Sequence, residues 1–533
     1  MLGRELSRRT FLTGALVASG AAGLALTGCG GGEKKEKTTP QPGQIEGQPK
    51  RGGSITSAST ASILSLDPNT TEGVSVAAYF YSYVIQPTDW QGTVGDLATS
   101  WEVVDELSWI FNIRSDARFQ DIAPANGRPV VASDITKSID RARNMPGASN
   151  VWTIWAEKFE TPDDRTFTIL TKRPYGYLLM TLGSPATAIF PIEAVEQFGD
   201  LKTHAIGSGP FMLKSYGRDQ GLETVRNPIY YHDFPYVDGA NVKVLGDDAT
   251  VQAAFRAGSI DIYTAPDRLK AAAVEDVSGV TIQKFLNRVY AVFALNGKKT
   301  EAFKDARVRE AVDLALDRKA MISKLFFGDA ELAGPVPPLW DSALPKDEIE
   351  QAYKRDVAKA RQLLSAAGQE DLSFSLSFGT YGNSTDLASV IKSNLAEAGI
   401  TANLKPGELG TWLADLLSSN FESTAFTHLP YLSDDIQLQS HHRLGAAKTE
   451  TSDLGVDDPE VDSMLEKVEE TIDEKERIKL AQDVQRLILK RHGPTLVLYE
   501  PYGYWAAYDY LKGYTPTAYG VGLFKYDYWI DKG

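Results

Sequence analysis

The chain has 533 residues, a formal net charge of −15 and a single cysteine. An acidic balance argues against nucleic acid or an anionic membrane face as a partner, and one cysteine rules out any internal disulfide. The length suffices for two or three domains, each with a full core, and beyond the N-terminal region no apolar run is long enough to span a bilayer.

Ser7, Arg8, Arg9, Thr10, Phe11 and Leu12 form a twin-arginine n-region, and an uncharged stretch rich in Ala, Gly and Leu follows. It ends at Leu26-Thr27-Gly28-Cys29, which resembles the bacterial lipobox, where small residues admit the signal peptidase and the cysteine sulfur takes a diacylglycerol. This predicts a signal peptide over 1–28 and a lipid on Cys29. A membrane span over 10–32 is the other reading, and Gly14, Ser19, Gly20, Gly23, Gly28 and Gly30 dilute its apolarity. Residues 29–52 hold Gly, Lys, Glu, Thr, Pro and Gln with almost nothing to bury, and read as a lipidated tether reaching about 25–30 Å. Removing 1–28 takes away three arginines and one glutamate, which moves the charge from −15 to −17.

From Trp101 to Phe119, Trp101, Val103, Trp109, Phe111, Ile113 and Phe119 alternate or nearly alternate, as in antiparallel strands, and a helix is predicted at Ser133–Ala142. Val308, Ala311, Val312 and Ala315 line one face of a helix over Asp305–Leu316, and Asp317 can cap the next. Asp356–Gly368 is a third helix, ended by a glycine. Ser373–Phe378 alternates strictly, Thr385–Ala398 is helical up to Gly399, and Ile400–Leu404 is a strand again. This order implies a parallel sheet covered by helices, an α/β architecture. Val461, Leu465, Val468 and Ile472 mark a further helix, and Asp473 with Glu476 suits a capping box for the one after it. The pairs Asp247-Asp248 and Asp457-Asp458 read as caps or solvated faces. No G-x-S-x-G, H-E-x-x-H, Walker A or helix-opening G-x-G-x-x-G pattern occurs. A secreted enzyme would have to use unmarked carboxylates.

Several strings then match one family in order. Leu97-Ala98-Thr99-Ser100-Trp101-Glu102, Trp109 to Arg114 with Ala117-Arg118-Phe119, and Val131-Ala132-Ser133-Asp134-Ile135 are followed by Gly207-Ser208-Gly209-Pro210-Phe211 and Arg226-Asn227-Pro228-Ile229-Tyr230-Tyr231. Phe255 to Ile262 and Phe303 to Ala311 complete the set. Together they resemble the extracellular solute-binding proteins of family 5, receptors for oligopeptides, dipeptides, nickel chelates and some sugars, over nearly all of residues 53–533. Two departures stand out. The loop Phe119–Pro129 is longer than the family's and reads as a surface loop, and the block Phe426 to Asp435 lacks the usual tryptophan.

The resemblance implies a two-lobed, periplasmic-binding-protein-like type II fold with a third, inserted domain and a two-strand hinge near Ala291–Asn296 and Leu496–Tyr499. Domain I would comprise 53–88, 205–300 and 500–533, domain II 89–204 and domain III 301–499. It implies a small solute, foremost a peptide, delivered to a membrane permease and its ATPase by a monomer that is not an enzyme and needs no cofactor. A sugar oligomer or a metal chelate is the alternative cargo. The protein would sit outside the cytoplasm, held to the cell membrane through Cys29. Asp434 or Asp435 would hold a peptide's α-ammonium in a charge-assisted hydrogen bond, and reads equally as a helix cap. Ser59, Leu64, Asp67, Asn296, Tyr499, Tyr502 and Trp505 are the other expected ligand contacts, with the C-terminal aromatics reading equally as core. His428, His441 and His442 are weak metal candidates, because adjacent histidines do not easily point at one ion.

Overall fold

The computed structural model describes residues 47–70, 73–88, 92–145, 155–286, 290–338, 340–428, 453–514 and 526–532. Cys29, Asp434, Asp435, His441 and His442 lie outside the described residues, as does the whole of the expected signal peptide and most of the tether.

Three main sheets carry the chain. The first has four strands in the order Ser54–Ser59, Gly239–Val244, Gly221–Arg226 and Phe211–Gly217, with only the first pair parallel. The second is antiparallel and made from one stretch of chain, in the order Ala98–Val103, Ser108–Ile113, Thr166–Thr171 and Ala156–Asp163. Its alternation is the one predicted, with Trp109, Phe111 and Ile113 buried on one face. The helix Ala132–Asn144 packs on it. The Phe119–Pro129 loop lies largely at the surface as expected, with Asp121, Ile122, Ala123, Asn126 and Pro129 exposed, while its first residues join these two sheets. Phe119 and Gln120 are fully buried, and Gln120 donates from its backbone N–H to the Gly207 carbonyl and from Nε2 to the Phe211 carbonyl, both at 2.8 Å.

The third sheet is built around the 14-residue strand Thr495–Tyr508. Beyond it on one side come Tyr290–Leu295, Ser423–His428, Ser373–Gly379 and Thr401–Gly407, the last three mutually parallel. The predicted helices cover this half as Ala306–Ala315, Val357–Ala366 and Ser384–Glu397. Asp305, Asp317, Asp356, Asp458 and Asp473 each accept a backbone N–H at a helix start, a cap worth about 1 kcal/mol. Every residue of Tyr290–Leu295 is buried, because the strand is covered on both faces. Ala291, Phe293 and Leu295 enter one apolar cluster, whereas Tyr290, Val292 and Ala294 enter another.

The long strand changes partners along its length. Thr495 to Tyr499 pair with Ala294 to Ala291, with a register shift at Ala291/Val292. Glu500 and Pro501 pair with Glu331 and Ala330, and Tyr502 to Tyr508 pair with Leu286 to Val280. Two antiparallel strands therefore connect the halves, and the exchange falls between Tyr499 and Tyr502. The two segments expected at the hinge, Ala291–Asn296 and Leu496–Tyr499, pair with each other beside this exchange, and the register shift at Ala291/Val292 falls inside the first of them. Both are buried residues of one half, and the long strand changes partners immediately after Tyr499.

A buried charge cluster joins the Ala306–Ala315 helix to the strand that follows His492. Asp313 accepts from Arg318 Nη2 at 2.6 Å and lies 3.0 Å from His492 Nδ1, while Arg318 Nε donates to the Val497 carbonyl at 2.7 Å and its guanidinium lies 3.8 Å over the Tyr353 ring. Burial pushes the Asp313 carboxyl up, but Arg318 and His492 outweigh it and hold the group below the usual carboxylate range. Arg318→Ala leaves that carboxylate buried and unpaired, and should destabilise the protein by about 3–5 kcal/mol, read as a lower urea midpoint at unchanged slope. Because the folded-state value is depressed, the stability Asp313 contributes is present above about pH 4 and is lost as pH falls through the folded-state value. Asp313→Asn should accordingly show a shallower acid limb than the wild type when urea midpoints are measured against pH.

Candidate functional site

In a sheet of parallel strands the open backbone ends lie at the carboxyl edge, which is where α/β proteins bind ligands. Here that edge is formed by Gly379, Gly407 and His428, the last residues of three adjacent strands. His428 pairs with Tyr290, the first residue after the strand crossing, so this edge and the crossing are neighbours. Tyr381 and Trp412 stand over the edge with ring centroids 5.6 Å apart, and Trp412 Nε1 donates to Thr424 Oγ1 at 3.2 Å. Gly379 permits this, since a Cβ there would meet the Trp412 ring at 2.7 Å. The block from Phe426 to Asp435 leaves this edge. Phe426 is buried behind it, and the expected anchors Asp434 and Asp435 follow outside the described residues.

On the other side of the crossing a polar ladder joins the halves. Lys284 Nζ donates to Asp329 Oδ1 at 2.6 Å and lies 3.7 Å over the Tyr502 ring. The Tyr502 hydroxyl donates to Glu331 Oε1 at 2.6 Å, Lys346 Nζ to Glu331 Oε2 at 3.0 Å, and the Tyr504 hydroxyl to Asp329 Oδ2. Burial pushes both carboxyls up, but the phenols and lysines more than offset it and hold both below their ordinary range. The Tyr502 and Tyr504 hydroxyls move the other way, raised by burial and by their carboxylate partners. This ladder was not anticipated. The i, i+2 spacing of Tyr502 and Tyr504 puts them on one strand face, which is legible, but no local pattern brings Asp329 and Glu331 to them.

The expected contacts separate into two groups. Ser59 ends the first strand, with Oγ donating to the Ala61 carbonyl at 2.8 Å, and Leu64 is 47% exposed. Tyr502 is half-buried and packs on the same apolar cluster as Ala58, so the end of the first strand and the crossing are close. The other four are corrected to structural roles. Asp67 is fully buried and accepts from both Arg141 amino groups and from the Asn69 and Leu201 N–H groups, which clamps its loop to the Ala132–Asn144 helix. Asn296 is fully buried, donating to the Ser419 carbonyl at 2.9 Å and accepting from Lys298 N–H at 2.9 Å. Tyr499 packs edge-on against Phe326 in the core, and Trp505 is stacked 4.3 Å from Tyr514. Core rather than cleft wall is thus the reading that holds for these two aromatics.

Among the described residues no group of three or more His, Cys, Asp or Glu converges to hold a metal ion, and no helix is long and apolar enough to cross a membrane. His428 is described only as a strand residue opposite Tyr290. The Asp247 and Asp458 side chains cap helices. What the edge and crossing offer is an aromatic and polar rim beside the point where the long strand changes partners. That arrangement suits holding a guest.

Known proteins share this fold. The family described as bacterial extracellular solute-binding proteins, family 5 Middle, matches residues 92–443. A Brucella ovis protein provisionally named as an ABC transporter peptide-binding protein is 31% identical over 354 residues, 63% of this chain, and the match spans 64% of that relative's length. The periplasmic binding protein DppA from Helicobacter pylori, solved with the peptide STSA, superposes with a TM-score of 0.76 at 23% identity, covering 91% of this chain and 99% of its own. NikA from Brucella suis, solved with Fe(III)-EDTA, gives a TM-score of 0.75 at 21% identity over 90% and 100%. The structural likenesses show the fold, an α/β two-lobed type II binding-protein fold whose lobes are joined by the two crossing strands. With the family match covering more than half of the chain, the protein belongs to the bacterial extracellular solute-binding proteins of family 5.

Proposed function

We propose that this chain is the receptor of an ABC importer, capturing peptides between its two lobes and passing them unaltered to a membrane permease and its ATPase. The observation that carries the reading is the adjacency of the carboxyl edge at Gly379, Gly407 and His428 to the two-strand crossing, so that bending the joint opens and covers the rim. The family consists of solute-binding receptors, and its relatives' names support peptide cargo. In this reading 53–88, 205–300 and 500–533 form domain I, 89–204 domain II and 301–499 domain III. Ser59, Leu64 and Tyr502 face the solute, and Asp434 or Asp435 takes the ammonium. Of the alternative cargoes, a metal chelate or a sugar oligomer, the chelate is favoured by one observation, the likeness to a protein solved with Fe(III)-EDTA.

The protein acts as a monomer outside the cytoplasm. The twin Arg8-Arg9 directs export, and Cys29 carries the lipid that holds the tether to the membrane.

Thermal unfolding of the mature protein against pools of di- to pentapeptides, oligosaccharides and nickel chelates distinguishes the cargoes. Peptide at 100 times its dissociation constant should stabilise by about 2.7 kcal/mol. The double change Asp434→Asn, Asp435→Asn should remove that shift while leaving the unliganded transition in place. A shift with a sugar or chelate pool and none with peptides would end the peptide reading. In cells, Cys29→Ser should abolish fatty-acid labelling and release the protein from the membrane fraction, and a variant that stays labelled and bound would refute the anchor.

A further inference from the structure

The helix pair Pro459–Glu470 and Glu474–Arg491 is fastened at its two ends to different bodies. At one end Arg309, on the Ala306–Ala315 helix, donates to the carbonyls of His492 and Arg491 at 2.6 and 3.3 Å, and His492 meets Asp313. This fixes the pair to the lobe that holds the parallel strands. The other end, the turn from Glu469 to Arg477, lies about 27 Å away along an 18-residue helix.

That turn is bound to Arg173–Leu178, the segment that follows the Thr166–Thr171 strand of the antiparallel sheet. Gly176 N–H donates to the Glu469 carbonyl at 2.7 Å. Arg173 pairs with the carboxylates of Glu469 and Glu470, the latter at 3.3 Å. Arg477 lies 4.7 Å over the Tyr177 ring and donates to the carbonyls of Thr471 and Ile472, each at 3.1 Å. Tyr175, Tyr177 and Leu178 share an apolar cluster with Leu465, Val468 and Val484. The fit is close, since a Cβ on Gly176 would stand 2.1 Å from the Thr471 carbonyl oxygen.

The antiparallel sheet is itself tied to the first sheet, through Gln120 to Phe211 and through the hydroxyl of Tyr231 to Asp96. It therefore moves with the lobe on the far side of the strand crossing. Bending at the crossing therefore acts on the contact between Arg173–Leu178 and the helix pair. We infer that this contact is a closing latch, made when the lobes shut and broken when they open. It is distinct from the solute rim, and it sets how much of the unliganded protein is closed. The inference rests on the receptor reading and assigns a task to the inserted domain.

A latch of this kind acts on closure rather than on any one solute, so its loss lowers apparent affinity for every cargo by the same factor. The test uses the full chain with Cys29→Ala and spin labels on Glu106→Cys and Asp371→Cys, exposed positions on the two bodies. Their distance distribution is recorded without solute and with the peptide pool. Arg173→Glu sets like charges against each other, and Gly176→Val wedges the contact without touching charge. Each should shift the distribution to longer distances, with Arg173→Glu lowering the closed-to-open ratio about tenfold, as expected for loss of a charge-assisted contact. The swap Arg173→Glu with Glu469→Arg should bring it back towards wild type, which a merely misfolded variant would not do. Unchanged distributions in both Arg173→Glu and Gly176→Val, or a swap that opens further than the single change, would overturn the latch. If the variants open as expected while no pool moves the wild-type distribution, the latch stands and the receptor reading falls.

Discussion

One strand belongs to both halves of this molecule, and most of what the fold can do follows from that. Thr495–Tyr508 is hydrogen-bonded on one side of Glu500 to the lobe of parallel strands and on the other to Ile262–Ala265 and Val280–Leu286. A ladder residue covered on both faces cannot rotate without breaking backbone hydrogen bonds that burial makes expensive to lose. Movement is therefore confined to the few residues where the partners change. Because the first residue past that point, Tyr290, sits opposite His428, the joint and the carboxyl edge of the sheet are set side by side by register alone.

Charge is distributed accordingly. Each body holds a buried ion pair, Asp67 with Arg141 in one and Asp313 with Arg318 in the other, and removing either partner strands a charge. Across the joint the pairs are partly wet. Lys284 with Asp329 and Arg173 with Glu470 keep a quarter or more of their side chains exposed, whereas Glu469, the other partner of Arg173, is 12% exposed. Exposed pairs exchange with water at little net cost. The buried pairs within the bodies are therefore costlier to break than the exposed pairs that cross the joint.

Local order was legible wherever one period or one cap decided it. Asp356, Gly368 and Gly399 bounded their helices as read, because an Asp at a helix start and a glycine at positive φ act within a turn of chain. The alternation of Trp109, Phe111 and Ile113 likewise gave the antiparallel sheet. What local reading missed depends on distant partners. Asp67 looked available because Arg141, 74 residues away, is invisible to any window. Tyr499 and Trp505 looked like cleft walls because an aromatic on a strand carries no mark of which face will be covered. Asp329 and Glu331 drew no notice, being ordinary acids until Tyr502 and Tyr504 arrive from the far end of the chain.

The same limit explains the helix pair before the final strand. Its periodicity, Val461, Leu465, Val468 and then Ala481, Val484, Ile488, predicts an apolar face but not whose core that face completes. The structure gives it to the cluster that contains Trp155, Tyr175 and Tyr177, from a stretch of chain some three hundred residues earlier, while its ion pairs at His492 hold it to the other lobe. A helix with its apolar stripe in one body and its polar end in another has to choose between them when the bodies separate. Apolar burial favours the closed arrangement in proportion to area, and the buried cluster at Asp313 is the harder of the two attachments to break. If the contact is the latch inferred above, opening peels the stripe from Arg173–Leu178 rather than the helix from its own lobe.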